Sequence, residues 1–125
     1  MQTQMEQGVT LLELMIVVAI IGIITMLAVP SYQSQIQHSR RDDGINKLLQ
    51  LHIQQEAYRI TQPQYATALQ LGMPSSQYYY FTVENISAVT FTVSATAING
   101  QILDSECTTL SINQAMIKAP QNCWL

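Results

Sequence analysis

The chain is expected to fold as α+β, with a long N-terminal helix, membrane-spanning in its first half, packed against a small antiparallel sheet. Three stretches carry that expectation. Residues 9–29 read VTLLELMIVVAIIGIITMLAV, residues 32–60 contain no Pro and a single Gly, and residues 78–113 turn to β-branched and aromatic types. The composition agrees: of 125 residues 48% are hydrophobic and 10% charged, against roughly 25% charged in an ordinary soluble domain. Intrinsic disorder is excluded, because disordered chains are poor in apolar residues and rich in charge. A formal net charge of -3 argues against a polyanion-coating protein, which needs a basic face to displace counterions.

Residues 9–29 supply the ~20 residues that cross a ~30 Å hydrocarbon core as an α-helix. A secretory signal peptide would carry a basic n-region, a shorter apolar core and a small-residue cleavage site beyond it. Here MQTQMEQG holds no Lys or Arg, and Pro30-Ser31-Tyr32 offers no such site. A helix apolar all round would need a larger protein to bury it. Glu13 alone breaks the run. An ionisable group in a membrane segment costs ~2.5–3.5 kcal/mol on insertion scales, so it wants either a partner or a shallow position from which to snorkel.

The helix is expected to continue through residues 31–61. Ile36, Ile45, Leu48, Leu49, His52 and Tyr58 fit one stripe, while Gln33, Gln35, Gln37, Asn46, Gln50, Gln54 and Gln55 occupy the other side. Gly22 and Pro30 are the expected kink points, since proline removes a helical hydrogen bond and crowds the preceding turn. Helix over residues 9–60 would measure ~78 Å. A loop over 62–77 contains Pro63, Gly72 and Pro74. Residues 78–83, YYYFTV, then read as strand, and residues 89–97 alternate apolar with hydroxyl, aiming Val89, Phe91, Val93, Ala95 and Ala97 at the helix. Asn99-Gly100 predicts a tight turn, and residues 108–113 offer a third strand with Leu110 and Ile112 on one face.

Cys107 and Cys123 would contribute ~3 kcal/mol by chain entropy if bridged, and a bridge implies an oxidising compartment. A zinc site would want four ligands, and the two histidines, His38 and His52, both lie on the helix. Other constellations are unremarkable. There is no nucleotide loop, no nucleophile with a base at recognisable spacing and no metal motif, so neither an enzyme nor a cofactor is expected. Arg40-Arg41-Asp42-Asp43 reads as a solvated face with local pairs, Asp104 and Glu106 are too few oxygens for calcium, and Trp124 reads as packing for the chain end.

The string Gly8-Val9-Thr10-Leu11-Leu12-Glu13-Leu14-Met15-Ile16-Val17-Val18-Ala19-Ile20-Ile21-Gly22-Ile23, with the exit Ala28-Val29-Pro30-Ser31-Tyr32, resembles the N-terminal signature of type IV pilins and pseudopilins. The likeness is close over the first quarter of the chain. Beyond it, the paired cysteines and the terminal Cys123-Trp124 resemble small minor pilins of the PilE type. The resemblance implies a leader over residues 1–8, cut between Gly8 and Val9 by a membrane prepilin peptidase, and N-methylation of the new Val9 terminus. A residue without Cβ at Gly8 lets the backbone lie close against an enzyme. It further implies that Glu13 pairs with the Val9 amine of a neighbouring subunit during assembly, which would compensate its charge. Two departures stand out: Val9 occupies a position where such chains commonly carry Phe, and the leader is acidic through Glu6 rather than basic.

On this resemblance residues 9–30 form the transmembrane and filament-core helix. Residues 31–125 form a periplasmic or extracellular head, made of the helix continuation 31–61, the loop 62–77, and the sheet with its C-terminal disulfide loop over 78–125. The implied function is that of a minor pilin, a structural subunit of a type IV pilus serving twitching motility, adhesion or DNA uptake. The implied partners are other pilins in a helical filament, the prepilin peptidase, an inner-membrane assembly platform and, before assembly, the bacterial inner membrane, crossed once with the C-terminus outside. A type II secretion pseudopilin and a DNA-uptake (competence) pilin are the alternatives. Direct DNA binding is not expected, because after Arg59 the only basic residue is Lys118.

Overall fold

The computed structural model describes residues 7–124, so most of the expected leader, residues 1–6, lies outside the described residues. Helix α1 (Leu11–Thr61) runs unbroken through Gly22 and Pro30. The chain divides into two compact units, Met1–Ile36 and Gln37–Leu125. Among the described residues of the first, 7–10 precede α1 and the rest are helical, with residues 7–35 all exposed.

The second unit, the head, carries its own core. Four antiparallel strands, β1 (Tyr79–Glu84), β2 (Thr92–Ala97), β3 (Thr109–Asn113) and β4 (Lys118–Ala119), lie in the order β1-β2-β3-β4. Tyr79 pairs with Ala97 and Glu84 with Thr92 without a bulge. Alternation puts Tyr79, Phe81, Val93, Ala95, Ala97, Leu110 and Ile112 on the buried face, as the period of two requires. Against them α1 buries Gly44, Leu48, Leu51, His52 and Gln55. Gly44 matters sterically: a Cβ there would sit 3.0 Å from the Tyr79 ring. Its lack of side chain lets the helix approach the first strand.

Four features differ from expectation. Gln55, assigned to the polar side, is fully buried, because its amide donates to the Ala66 carbonyl and accepts from the Ala66 N–H, both at 2.8 Å. That pair ties the chain leaving α1 back onto it. Val89, assigned to the core, is 72% exposed. The second strand starts three residues late because Ser87 organises a turn, its hydroxyl accepting from the Val89 and Thr90 amides. Asn99-Gly100 opens no two-residue hairpin; it begins the 3-10 segment Asn99–Leu103, followed by a second, Ser105–Cys107, so that β2 and β3 are joined by a structured connector. Finally, the loop 62–77 contains a one-turn helix, α2 (Ala68–Leu71), closed by a Thr67/Gln70 capping box. The disulfide between Cys107 and Cys123 is present with Cα atoms 5.7 Å apart, and it ties the second 3-10 segment to the C-terminal turn Gln121–Trp124.

Candidate assembly site on the N-terminal helix

The residues expected to serve cleavage and assembly fall in the exposed first unit. Gly8 and Val9 precede α1 outside any helix or strand, and Gly8 has no atom within 4 Å of where a Cβ would stand. The Gly8–Val9 bond, where cleavage is expected, is thus open backbone. Thr10 caps the helix: its hydroxyl accepts from the Glu13 N–H at 3.2 Å and its carbonyl from Leu14 N–H at 3.1 Å. Glu13 therefore stands three residues after a capping Thr, the acidic position of a T-x-x-E box, where a carboxylate also meets the positive end of the helix dipole. That spacing was readable in the sequence, and it gives Glu13 a local role in starting the helix besides any role between subunits.

From Val9 to Val29 every large apolar side chain is exposed, from 46% at Val17 to 79% at Met26. Gly22 leaves open space at its side. Pro30 supplies no N–H to the Met26 carbonyl four residues back. A turn earlier, the Thr25 hydroxyl donates to the Ile21 carbonyl at 2.7 Å, satisfying its polar group inside an apolar segment.

The head's polar chemistry is internal. Arg41 donates twice to Asp104, Nε to Oδ2 at 2.9 Å and Nη2 to Oδ1 at 2.6 Å, with both side chains largely buried. Its hydrogen bond to Asp104 raises the Arg41 pKa despite the opposing effect of burial. The run Arg40-Arg41-Asp42-Asp43 is thus no purely solvated face. Gln101, fully buried, donates to the Gln37 carbonyl and lies 3.0 Å from the Tyr79 hydroxyl. Burial raises the Tyr79 pKa, partly offset by that contact with Gln101. The remaining cations are engaged as well. Arg40 stacks 3.8 Å from the Tyr78 ring centre, Lys47 pairs with Asp43, Arg59 donates to the Ala88 and Gln62 carbonyls, and Lys118 lies over Trp124. His38 is exposed. His52 is buried 5.2 Å from Phe91, its Nε2 without a partner. Among the described residues no three His, Cys, Asp or Glu side chains gather as a metal site.

Residues 3–29 match the prokaryotic N-terminal methylation motif. Residues 30–111 match the family described as type IV minor pilin ComP, DNA uptake sequence receptor. The chain belongs to this type IV minor pilin family. Among relatives, a fimbrial protein EcpC of Eikenella corrodens is 46% identical over 46 residues, 37% of this chain and 30% of that one. A type IV major fimbrial protein FimA of Dichelobacter nodosus is 48% identical over 42 residues, 34% of this chain and 26% of that one. The matched part therefore spans about a third or less of those relatives. A high-resolution structure of a type IV pilin from Shewanella oneidensis superposes with a TM-score of 0.60 at 26% identity, covering 71% of this chain and 98% of that one. A helix packed on a four-stranded antiparallel sheet is thus the type IV pilin fold, as the sequence predicted.

Proposed function

We propose that this pilin is a minor subunit of a type IV filament, anchored in the bacterial inner membrane by the N-terminal helix before assembly and packed into the filament core afterwards. The observation that carries this reading is the run of exposed apolar side chains from Val9 to Val29. Water is the wrong solvent for such a surface. A bilayer covers it first, and neighbouring apolar helices cover it once the subunit leaves the membrane. Glu13, the one carboxylate in the segment, is then compensated by the Val9 amine of an adjacent subunit, released when a prepilin peptidase cuts after Gly8 and methylates the new terminus. The head stays on the outer side, where its disulfide is stable, and the assembly platform lifts the subunit out. The role is structural, with no catalysis by the chain itself.

A Gly8→Val chain expressed with a functional prepilin peptidase should stay at full length, while the wild type matures to Val9. Equal processing of both would overturn the cleavage assignment.

The match of residues 30–111 to a family described as a DNA uptake sequence receptor favours a second reading, in which the filament serves DNA uptake. Each of the five cations is already held by a ring, carboxylate or carbonyl of the head. Direct DNA contact through a basic face is therefore expected to be weak, with a log-log salt slope below about 2, where a receptor neutralising six phosphates would give about 5. Duplex titrations of the purified chain at several salt concentrations measure this slope. A steep slope would contradict the expectation.

A further inference from the structure

Antiparallel pairing alternates the direction of backbone groups along a strand, and the hydrogen bonds fix which way β1 faces. Ala97 N–H donates to Thr108 and so faces β3, whereas Ile98 N–H donates to the Tyr78 carbonyl. Tyr78, Tyr80, Thr82 and Glu84 therefore direct their backbone groups at β2. Tyr79, Phe81 and Val83 direct theirs outward, at the sheet edge. Of these, Tyr79 N–H is taken by the Ser76 hydroxyl at 3.3 Å. The outward N–H and C=O of Phe81 and Val83 have no protein partner among the described residues. They border a groove of about 420 Å³ between β1 and residues 73–76.

Sheet edges are normally guarded by charged residues, above all Lys, by Pro, a bulge, extreme shortness or a loop laid over them; residues 73–76 flank the β1 edge but leave the groove along it open. At the far edge β4 is two residues long and followed by Pro120. The six residues of β1 contain no Lys, no Pro and no bulge.

The geometry points to the edge of β1 as a self-association surface, where a second copy of this chain adds its own β1 antiparallel. A register centred on Thr82 uses the four outward groups of Phe81 and Val83, Phe81 of each copy exchanging hydrogen bonds with Val83 of the other. The side chains it brings opposite one another are an aromatic with a β-branched residue and Thr82 with Thr82, both favourable kinds of cross-strand pair, together with Tyr80 and Glu84. The one charge on the strand meets a hydroxyl rather than its own kind. The head as a whole, with five basic and six acidic residues from Gln37 onward, carries too little net charge to oppose contact. A two-fold axis pairing strands in this way stands perpendicular to the sheet, so it reverses the head helix. Two heads joined at β1 run in opposite directions and bridge separate filaments rather than neighbours within one. That last step rests on the filament reading; the pairing itself does not.

Thr82 would sit on the axis as a non-hydrogen-bonded pair with Cα atoms ~4.5 Å apart, within disulfide reach. Full-length Thr82→Cys chain in detergent micelles should oxidise to a covalent dimer at least tenfold faster than Thr96→Cys, an exposed position on the same face of β2. Adding Val83→Pro, which removes an outward N–H that the pairing needs, should abolish the difference. Should either variant fail to fold, a mixture of Tyr80→Cys and Glu84→Cys chains decides, since that pair faces across the same axis. Equal rates at Thr82 and Thr96, insensitivity to Val83→Pro, or no Tyr80–Glu84 crosslink would overturn the proposal.

Discussion

Single residues in the head hold backbone to backbone. Gln55 satisfies both the N–H and the C=O of Ala66 in a site without water access. Gln55→Ala should cost ~1–3 kcal/mol in urea unfolding, the penalty for stranding buried polar groups, and Gln55→Glu should restore at most part of it, because a carboxylate cannot donate to the carbonyl. Helical spacing alone could not reveal this position. Glutamine on a helix reads as solvent-facing, and the partner that draws it inward lies beyond the helix end. The same limit hid Arg41, whose partner Asp104 is 63 residues away. Tyr79 gives a pH prediction. Burial raises its pKa above the ordinary value of 10.0, so above that value the unfolded chain binds fewer protons than the folded one and stability falls as pH rises. Unfolding midpoints measured between pH 9 and 11 should decline, and Tyr79→Phe should flatten the decline.

At the scale of elements, the long helix and three of the strands were legible because period-3.6 and period-2 patterns persist over many residues. The boundaries were not. Ser87 ends the alternation at Val89 through side-chain hydrogen bonds to the backbone, and such local competition escapes a hydropathy pattern. The packing of α1 on β1 depends on Gly44. Ordinarily Gly→Ala inside a helix gains ~1 kcal/mol. Here the added Cβ meets the ring of Tyr79, itself 2% exposed and held near Gln101, so Gly44→Ala should destabilise the head despite its better propensity; thermal melts of the two chains give the sign. Replacing Cys107 and Cys123 together by serine should cost ~2–5 kcal/mol, visible as a loss of thermal stability in the oxidised state with little change under reducing conditions.

For the molecule as a whole, the low charge of the sequence has two sources. Residues 9–29 carry one carboxylate, Glu13, in an exposed apolar surface. The head uses its few charges on itself, as Arg41 on Asp104 and Lys47 on Asp43. Signature residues such as Gly8, Glu13 and Pro30 made the family legible from the first quarter of the chain, because they stand at fixed offsets around one apolar run. The head's specificity was not legible, since it resides in loops joined by long-range contacts. If Glu13 is paired between subunits, Glu13→Ala should leave Gly8–Val9 cleavage intact and sharply reduce recovery of the chain in filaments, counted by immunoblot of sheared and membrane fractions. The account is tested most directly by mass spectrometry of filaments sheared from cells expressing the native chain. It predicts this subunit among them, beginning at a methylated Val9 with the Cys107–Cys123 bond intact. Piliated cells whose filaments lack the chain, while the membrane holds it uncut, would contradict it.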